Sequence, residues 1–317
     1  MHTIFNSLHE SYITRCHQPE PQKSAWRSIV KNGFEPDLQK EWHIRPSVRL
    51  AKESGDLGMA LLWIVQAALI RPCLTRLRET EALTSRQKDM LTAVDVDQIG
   101  ALAHSEPPGN PLTLSKSKDR LGASGEKKYI TAGPLADFFF MTAREKDDEK
   151  ISCLLWVPGA LIAPDELVRL DLNALFTSIH ASLLFHKKSL PDTCLLPVRA
   201  PEIRRMIATW GMVERNLIVE AFTAFLSYLS NRIGMTDRHP AIEDILRRQQ
   251  DAVTLAVQQA RAGQFVDFPA DNLKTIGMLT DNVISTASKR ITDQADHTEI
   301  LWRINDAAFL RNFWKGG

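Results

Sequence analysis

Apolar residues recur along this chain at two spacings, and the change from one to the other divides it. Over residues 48 to about 79 they fall three and four apart, interrupted near Gly55 and Gly58 and with a kink or boundary at Pro72, which predicts helix. A helix is expected earlier over residues 25–32, closed by Gly33, and another over 85–93 with Leu83, Met90 and Leu91 as its apolar positions. Residues 1 to about 25 read as polar and irregular, and residues 35–50, carrying Pro36 and Pro46, as a connection. From about residue 98 the pattern becomes short alternating or apolar runs at 99–103, 128–131, 138–143, 151–157 and 182–185. Turn residues such as Pro107-Pro108-Gly109-Asn110 and Pro158-Gly159 separate them, the punctuation of a small β-sandwich or barrel. Helical spacing returns at Pro201 with Ile203, Met206, Trp210, Val213, Leu217, Phe225 and Leu229. Pro240 suits the first turn of a second helix, Asp271 or Asn272 the cap of a third, and a fourth is expected over about 298–313. The fold class is therefore α+β and mostly α: a reduced helical domain over 1–98, a β domain over 99–198 and a four-helix domain over 199–317.

Composition narrows the function classes. With 317 residues, 44% hydrophobic and 24% charged, the chain has the makeup of a globular protein with ample core. Lys+Arg 39 against Asp+Glu 38 leaves no excess positive charge to draw nucleic acid or an acidic membrane. Cys16, Cys73, Cys153 and Cys194 have neither zinc-ligand spacing nor the density of a disulfide framework, which argues for a reducing, cytoplasmic setting. The first ten residues lack the apolar core of a secretion signal. The run over residues 57–70 contains Gln66 and falls short of the roughly 20 residues a membrane span needs, so it is expected as a buried helix. His180 and His186 flank an apolar strand, where a lone histidine is expected to be a hydrogen-bonded structural residue. There is no P-loop, glycine fingerprint for dinucleotides or metal-ligand spacing.

Two stretches carry more specific information. Ser105-Glu106-Pro107 precedes Tyr129-Ile130-Thr131-Ala132-Gly133 and then Ala136-Asp137. In this order they resemble the flavin-binding half of the acyl-CoA dehydrogenase family. Thr84-Ser85-Arg86-Gln87-Lys88 before the first strand, and Tyr228-Leu229-Ser230-Asn231-Arg232 at the end of the long helix, are similar to further family segments in register. The resemblance spans roughly residues 26–314.

The resemblance implies FAD, whose ring needs an apolar slot with donors at the edge that gathers negative charge on reduction. It places Ser105 at the pyrimidine portion, Tyr129 against the isoalloxazine, Ile130 beside it and Thr131 near N5, with Arg232 reaching the pyrophosphate in a neighbouring subunit. It implies α,β-dehydrogenation of an acyl-CoA or acyl-carrier-protein thioester, room for an electron-transfer partner, and a homodimer or homotetramer, with neither nucleic acid nor membrane. The family's usual carboxylate motif has no counterpart in Asn305-Asp306-Ala307 and the residues after it, and Glu202, Glu214 and Glu220 on the long helix align poorly with its alternative position. The catalytic base is thus unassigned. A member whose FAD is lost and which serves as a partner subunit, and a flavin-dependent oxygenase on the same fold, stay open beside the dehydrogenase.

Overall fold

The helices before and after the strands share one core. Phe5, Trp26, Trp63, Phe222, Phe225 and Ile245, drawn from both ends of the sequence, lie in a single buried cluster. The computed structural model describes residues 2–146, 150–235, 239–266, 268, 270–290 and 298–315.

Seven helices come first: α1 His2–Glu10, α2 Tyr12–Arg15, α3 Pro19–Lys31, α4 Pro46–Glu53, α5 Leu57–Val65, α6 Arg71–Arg78 and α7 Ser85–Thr92. The first 25 residues are thus helical, not irregular. Phe5, Leu8 and Tyr12 recur every three or four positions and are all buried, and that sparse stripe suffices to dock an otherwise polar segment. Pro46 starts α4 in place of continuing a connection, because a proline costs nothing where the first-turn N–H is unpaired anyway. Between α5 and α6 the backbone widens into one π turn, Gln66–Ile70, directly before Pro72. Leu57–Arg78 is long and apolar enough to cross a membrane, yet it is mostly buried in the protein and forms its core helix. Gln66 explains itself: its amide bonds the N–H of Gly100 at 2.9 Å and its carbonyl at 2.8 Å, stitching this helix to the first strand. Thr84 caps α7 in a reciprocal box with Gln87.

Eight strands follow: β1 Gly100–Ala103, β2 Thr113–Ser117, β3 Arg120–Ile130, β4 Phe138–Glu145, β5 Cys153–Pro158, β6 Leu167–Arg169, β7 Ala181–Pro191 and β8 Leu195–Leu196. The strand order is β6-β7-β3-β2-β4-β5-β8, with β1 parallel to β4. β2 joins β3 and β7 to β4 and β5 by pairing two residues of β4, and the inner faces enclose one core containing Leu121, Phe139, Met141, Leu155 and Phe185. β4 reads as an unbroken apolar run because both its faces are buried. Phe139 and Met141 point into the sheet core, while Phe138 and Phe140, with Trp156 of β5, pack against Ile70, Leu74 and Ile203.

Four long helices complete the chain: α8 Ala200–Arg232, α9 His239–Arg261, α10 Ala270–Arg290 and α11 Thr298–Lys315. Asn272 does not cap α10, which already begins at Ala270; its amide bonds Gln249 of α9 at 3.0 Å instead.

Candidate functional site

β3 alternates strictly through Leu121, Ala123, Gly125 and Lys127, all buried. That parity would turn Tyr129 inward. A register shift between Lys127 and Ile130 in the β3–β7 pairing breaks it. Tyr129 takes φ +56 and Ala132 φ +62, left-handed values that side chains rarely adopt. The consequence is that Tyr129 is 63% exposed, with Ile130 buried in its place.

Ser105 lies against this bulge: its carbonyl accepts from the N–H of Lys128 at 2.9 Å, and its side chain is exposed. The loop holding it is anchored from inside. Lys127, 0% exposed, donates to Glu106 at 2.6 Å, Thr142 at 3.1 Å and the His104 carbonyl at 3.2 Å. Glu106 also accepts from Arg144 at 2.7 Å and from the Leu112 N–H at 3.2 Å. Burial pushes the Glu106 carboxyl up, but its bonds to Lys127 and Arg144 win and hold it below its ordinary range. Burial lowers Lys127 to about 8, against the pull of Glu106. Sequence reasoning misses this pair, although the inward parity of Lys127 marks a buried ammonium that requires an acidic partner.

On the other side of the bulge, half-buried Thr131 meets His180 at 3.1 Å, and His180 meets Ser178 at 3.1 Å. Burial lowers His180 to about 4, so the ring is neutral at pH 7. Ser178 donates its proton to the Leu175 carbonyl at 2.9 Å. Its oxygen therefore accepts from Nδ1–H, which leaves Nε2 to accept from Thr131. The histidine is a hydrogen-bonded link between Thr131 and Ser178, as its place flanking the strand implied.

Ser105 and Thr131 thus lie on opposite sides of the bulge that exposes Tyr129 at the end of β3. Ile130 sends its side chain into the sheet core and offers only backbone. Arg232 closes α8 on a different element, exposed and beside Tyr228. Of the helix carboxylates, Glu202 bonds Arg76 at 2.9 Å and Glu220 is buried against Arg45 at 2.5 Å. Glu214 has no ion pair or hydrogen bond among the described residues, and burial raises it to about 7 despite the neighbouring Arg215. Among the described residues no three His, Cys, Asp or Glu side chains are grouped to hold a metal.

A cleft of about 830 Å³ opens elsewhere, between α6, the start of α8 and the end of α9, and Ser105, Tyr129 and Thr131 do not line it.

No family model matches the chain, and no curated protein matches it by sequence. Solved structures do. Butyryl-CoA dehydrogenase from Megasphaera elsdenii superposes with a TM-score of 0.69 at 14% identity, covering 99% of this chain and 93% of that one. The prolyl acyl carrier protein oxidase AnaB follows at 0.65 and 14%, covering 98% and 94%. An acyl-CoA dehydrogenase from Geobacillus kaustophilus gives 0.63 and 15%, covering 96% and 92%. Similar folds have been solved as an FAD complex of PigA and as a glutaryl-CoA dehydrogenase from Mycobacterium smegmatis with FADH2. The chain has the acyl-CoA dehydrogenase fold over nearly its whole length.

Proposed function

We propose that this chain is an FAD-binding oxidoreductase of the acyl-CoA dehydrogenase type, acting on an acyl thioester of coenzyme A or of a carrier protein. The observation that carries the reading is the Tyr129 bulge. A strained left-handed backbone that exposes an aromatic ring beside two hydroxyl side chains is explained by something flat that covers the ring. In this reading Tyr129 packs against the isoalloxazine, Thr131 and Ser105 meet its polar edges, and the backbone of Ile130 joins them. Arg232 serves the pyrophosphate of a cofactor held by a second copy in a dimer or tetramer. Flavin bound there would supply a hydride acceptor. No side chain is assigned as base.

A second reading is a non-catalytic relative that keeps the fold as a partner subunit. It is favoured by one observation: the 830 Å³ cleft excludes Ser105, Tyr129 and Thr131. The visible absorption spectrum separates the two readings, taken on purified protein before and after soaking in FAD and gel filtration. About one flavin per chain, lost in Tyr129→Ala, supports the oxidoreductase. Bleaching by a panel of acyl thioesters then assigns the dehydrogenase, and rapid oxygen reactivity of the reduced form assigns an oxygenase. Colourless protein that ignores added FAD overturns both enzymatic readings.

A further inference from the structure

The cleft between α6, α8 and α9 has its own chemistry, independent of the flavin reading. Five arginines line it against three carboxylates. One of the five, Arg76, takes up two of those carboxylates, bonding Glu202 at 2.7 Å and Glu79 at 3.6 Å. The third, Asp37, accepts from the Gln39 N–H at 2.7 Å in its own turn. The side chains of Arg199 and Arg205, both exposed at the start of α8, have no ion pair or hydrogen bond among the described residues. Arg71 spends its terminal nitrogens on the Asp95, Val96 and Gln98 carbonyls, but its buried Nε has no acceptor. Met206 and Trp210, one turn apart on α8 and half-buried, supply apolar wall beside these cations.

Unspent guanidinium groups beside apolar and aromatic surface recognise a ligand with two halves. Arginine forks match carboxylate or phosphate, and the wall takes hydrocarbon or a flat ring. About 830 Å³ lies within the range of roughly 300–1,000 Å³ that holds a compact organic molecule. We propose that this cleft binds an amphipathic anion, an apolar body ending in a carboxylate or phosphate, with its head on Arg199 and Arg205 and its body against Met206 and Trp210.

Isothermal titration of the full chain with decanoate and with decyl phosphate tests this, with decanol and inorganic phosphate as half-ligands. Saturable binding of at least one of the two anions is expected, at least tenfold tighter than either half-ligand. The tighter of the two identifies the head group. The double variant Arg199→Ala/Arg205→Ala, altered only at exposed side chains, is expected to bind at least tenfold more weakly with an unchanged melting temperature. Met206→Asp, which brings a like charge to the apolar wall, is expected to abolish binding. Absence of saturable binding by both anions overturns the proposal. So does a double variant that binds as tightly as the parent, or inorganic phosphate that binds as well as decyl phosphate.

Discussion

Thr131 donates its hydroxyl proton to Nε2 of His180 across 3.1 Å, and this one bond ties the strained end of β3 to the loop that carries Ser178. The bond requires a neutral ring, which burial secures by lowering His180 from 6.5 to about 4. A depressed pKa in the folded state means that the folded ring binds fewer protons than the unfolded one between those values. Its stabilisation is full above pH 6.5 and is lost as pH falls toward 4. Stability measured by urea titration is therefore expected to fall across this window, and more gently in His180→Gln, which keeps an acceptor but cannot titrate. Parallel slopes for parent and variant sink the assignment.

Glu106 and Lys127 hold the Ser105 loop from beneath. Glu106→Gln leaves the buried Lys127 ammonium with only neutral partners, an uncompensated charge that costs about 3 kcal/mol. Adding Lys127→Met removes the orphan, so the double variant is expected to be more stable than Glu106→Gln alone. Urea midpoints of the three proteins check the order. If Ser105 contacts FAD, affinity falls in Glu106→Gln alongside stability.

Tyr129 offers a test in which stability and binding separate. Its left-handed backbone, φ +56, costs roughly 1–2 kcal/mol for any side chain, whereas glycine adopts it freely at an entropic cost of about 0.5–1 kcal/mol. Tyr129→Gly is expected to be neutral or up to about 1 kcal/mol more stable, while FAD retention drops at least tenfold. A destabilised glycine variant indicates that the exposed ring packs to hold the fold, and that the bulge exists for stability.

The residues explain what was legible beforehand and what was not. The helical stretches after Pro201 and the strand at 138–143 stood out because their apolar positions are dense and regular. Sparser elements escaped. α1, α2 and the first turns of α3 are docked by few apolar residues, Phe5, Leu8 and Tyr12 among them, set in polar surroundings that read as a tail. β2 carries one buried side chain, Leu114, too few for a pattern. The inward lysine and outward tyrosine of β3 invert the usual pairing of residue type with burial. Nothing in Tyr129-Ile130-Thr131 announces a bulge, because an aromatic residue does not encode a positive φ. Family order brought Ser105, Tyr129 and Thr131 to attention; it could not show that Ile130 faces the core or that His180 fixes the Thr131 proton.

Asp306 tests the joint between α11 and the N-terminal helices. It is fully buried, accepts from the Leu175 N–H at 2.5 Å and receives the Tyr12 hydroxyl at 3.1 Å. Arg303, one turn earlier, lies over the Tyr12 ring at 4.1 Å and donates to the Ser54 carbonyl at 2.9 Å. Nearby Asp56 is already engaged by Arg15 at 2.7 Å and Thr177 at 2.5 Å. Burial raises Asp306 from 3.8 to about 7, Asp56 adds to the rise, and the bonds from Leu175 and Tyr12, with Arg303, oppose it. The folded state therefore binds the extra proton. This stabilisation is full below pH 3.8 and is lost as pH rises through 7. Asp306→Asn imitates the protonated acid: its oxygen can still accept from Leu175, and its amide faces the Tyr12 oxygen. The variant is expected to match the parent within about 1 kcal/mol at pH 5 and to exceed it at pH 8, with thermal melts at both values as the measure. A variant that loses stability equally at both shows that the carboxylate is held ionised by its neighbours, and that the joint depends on charge as well as on shape.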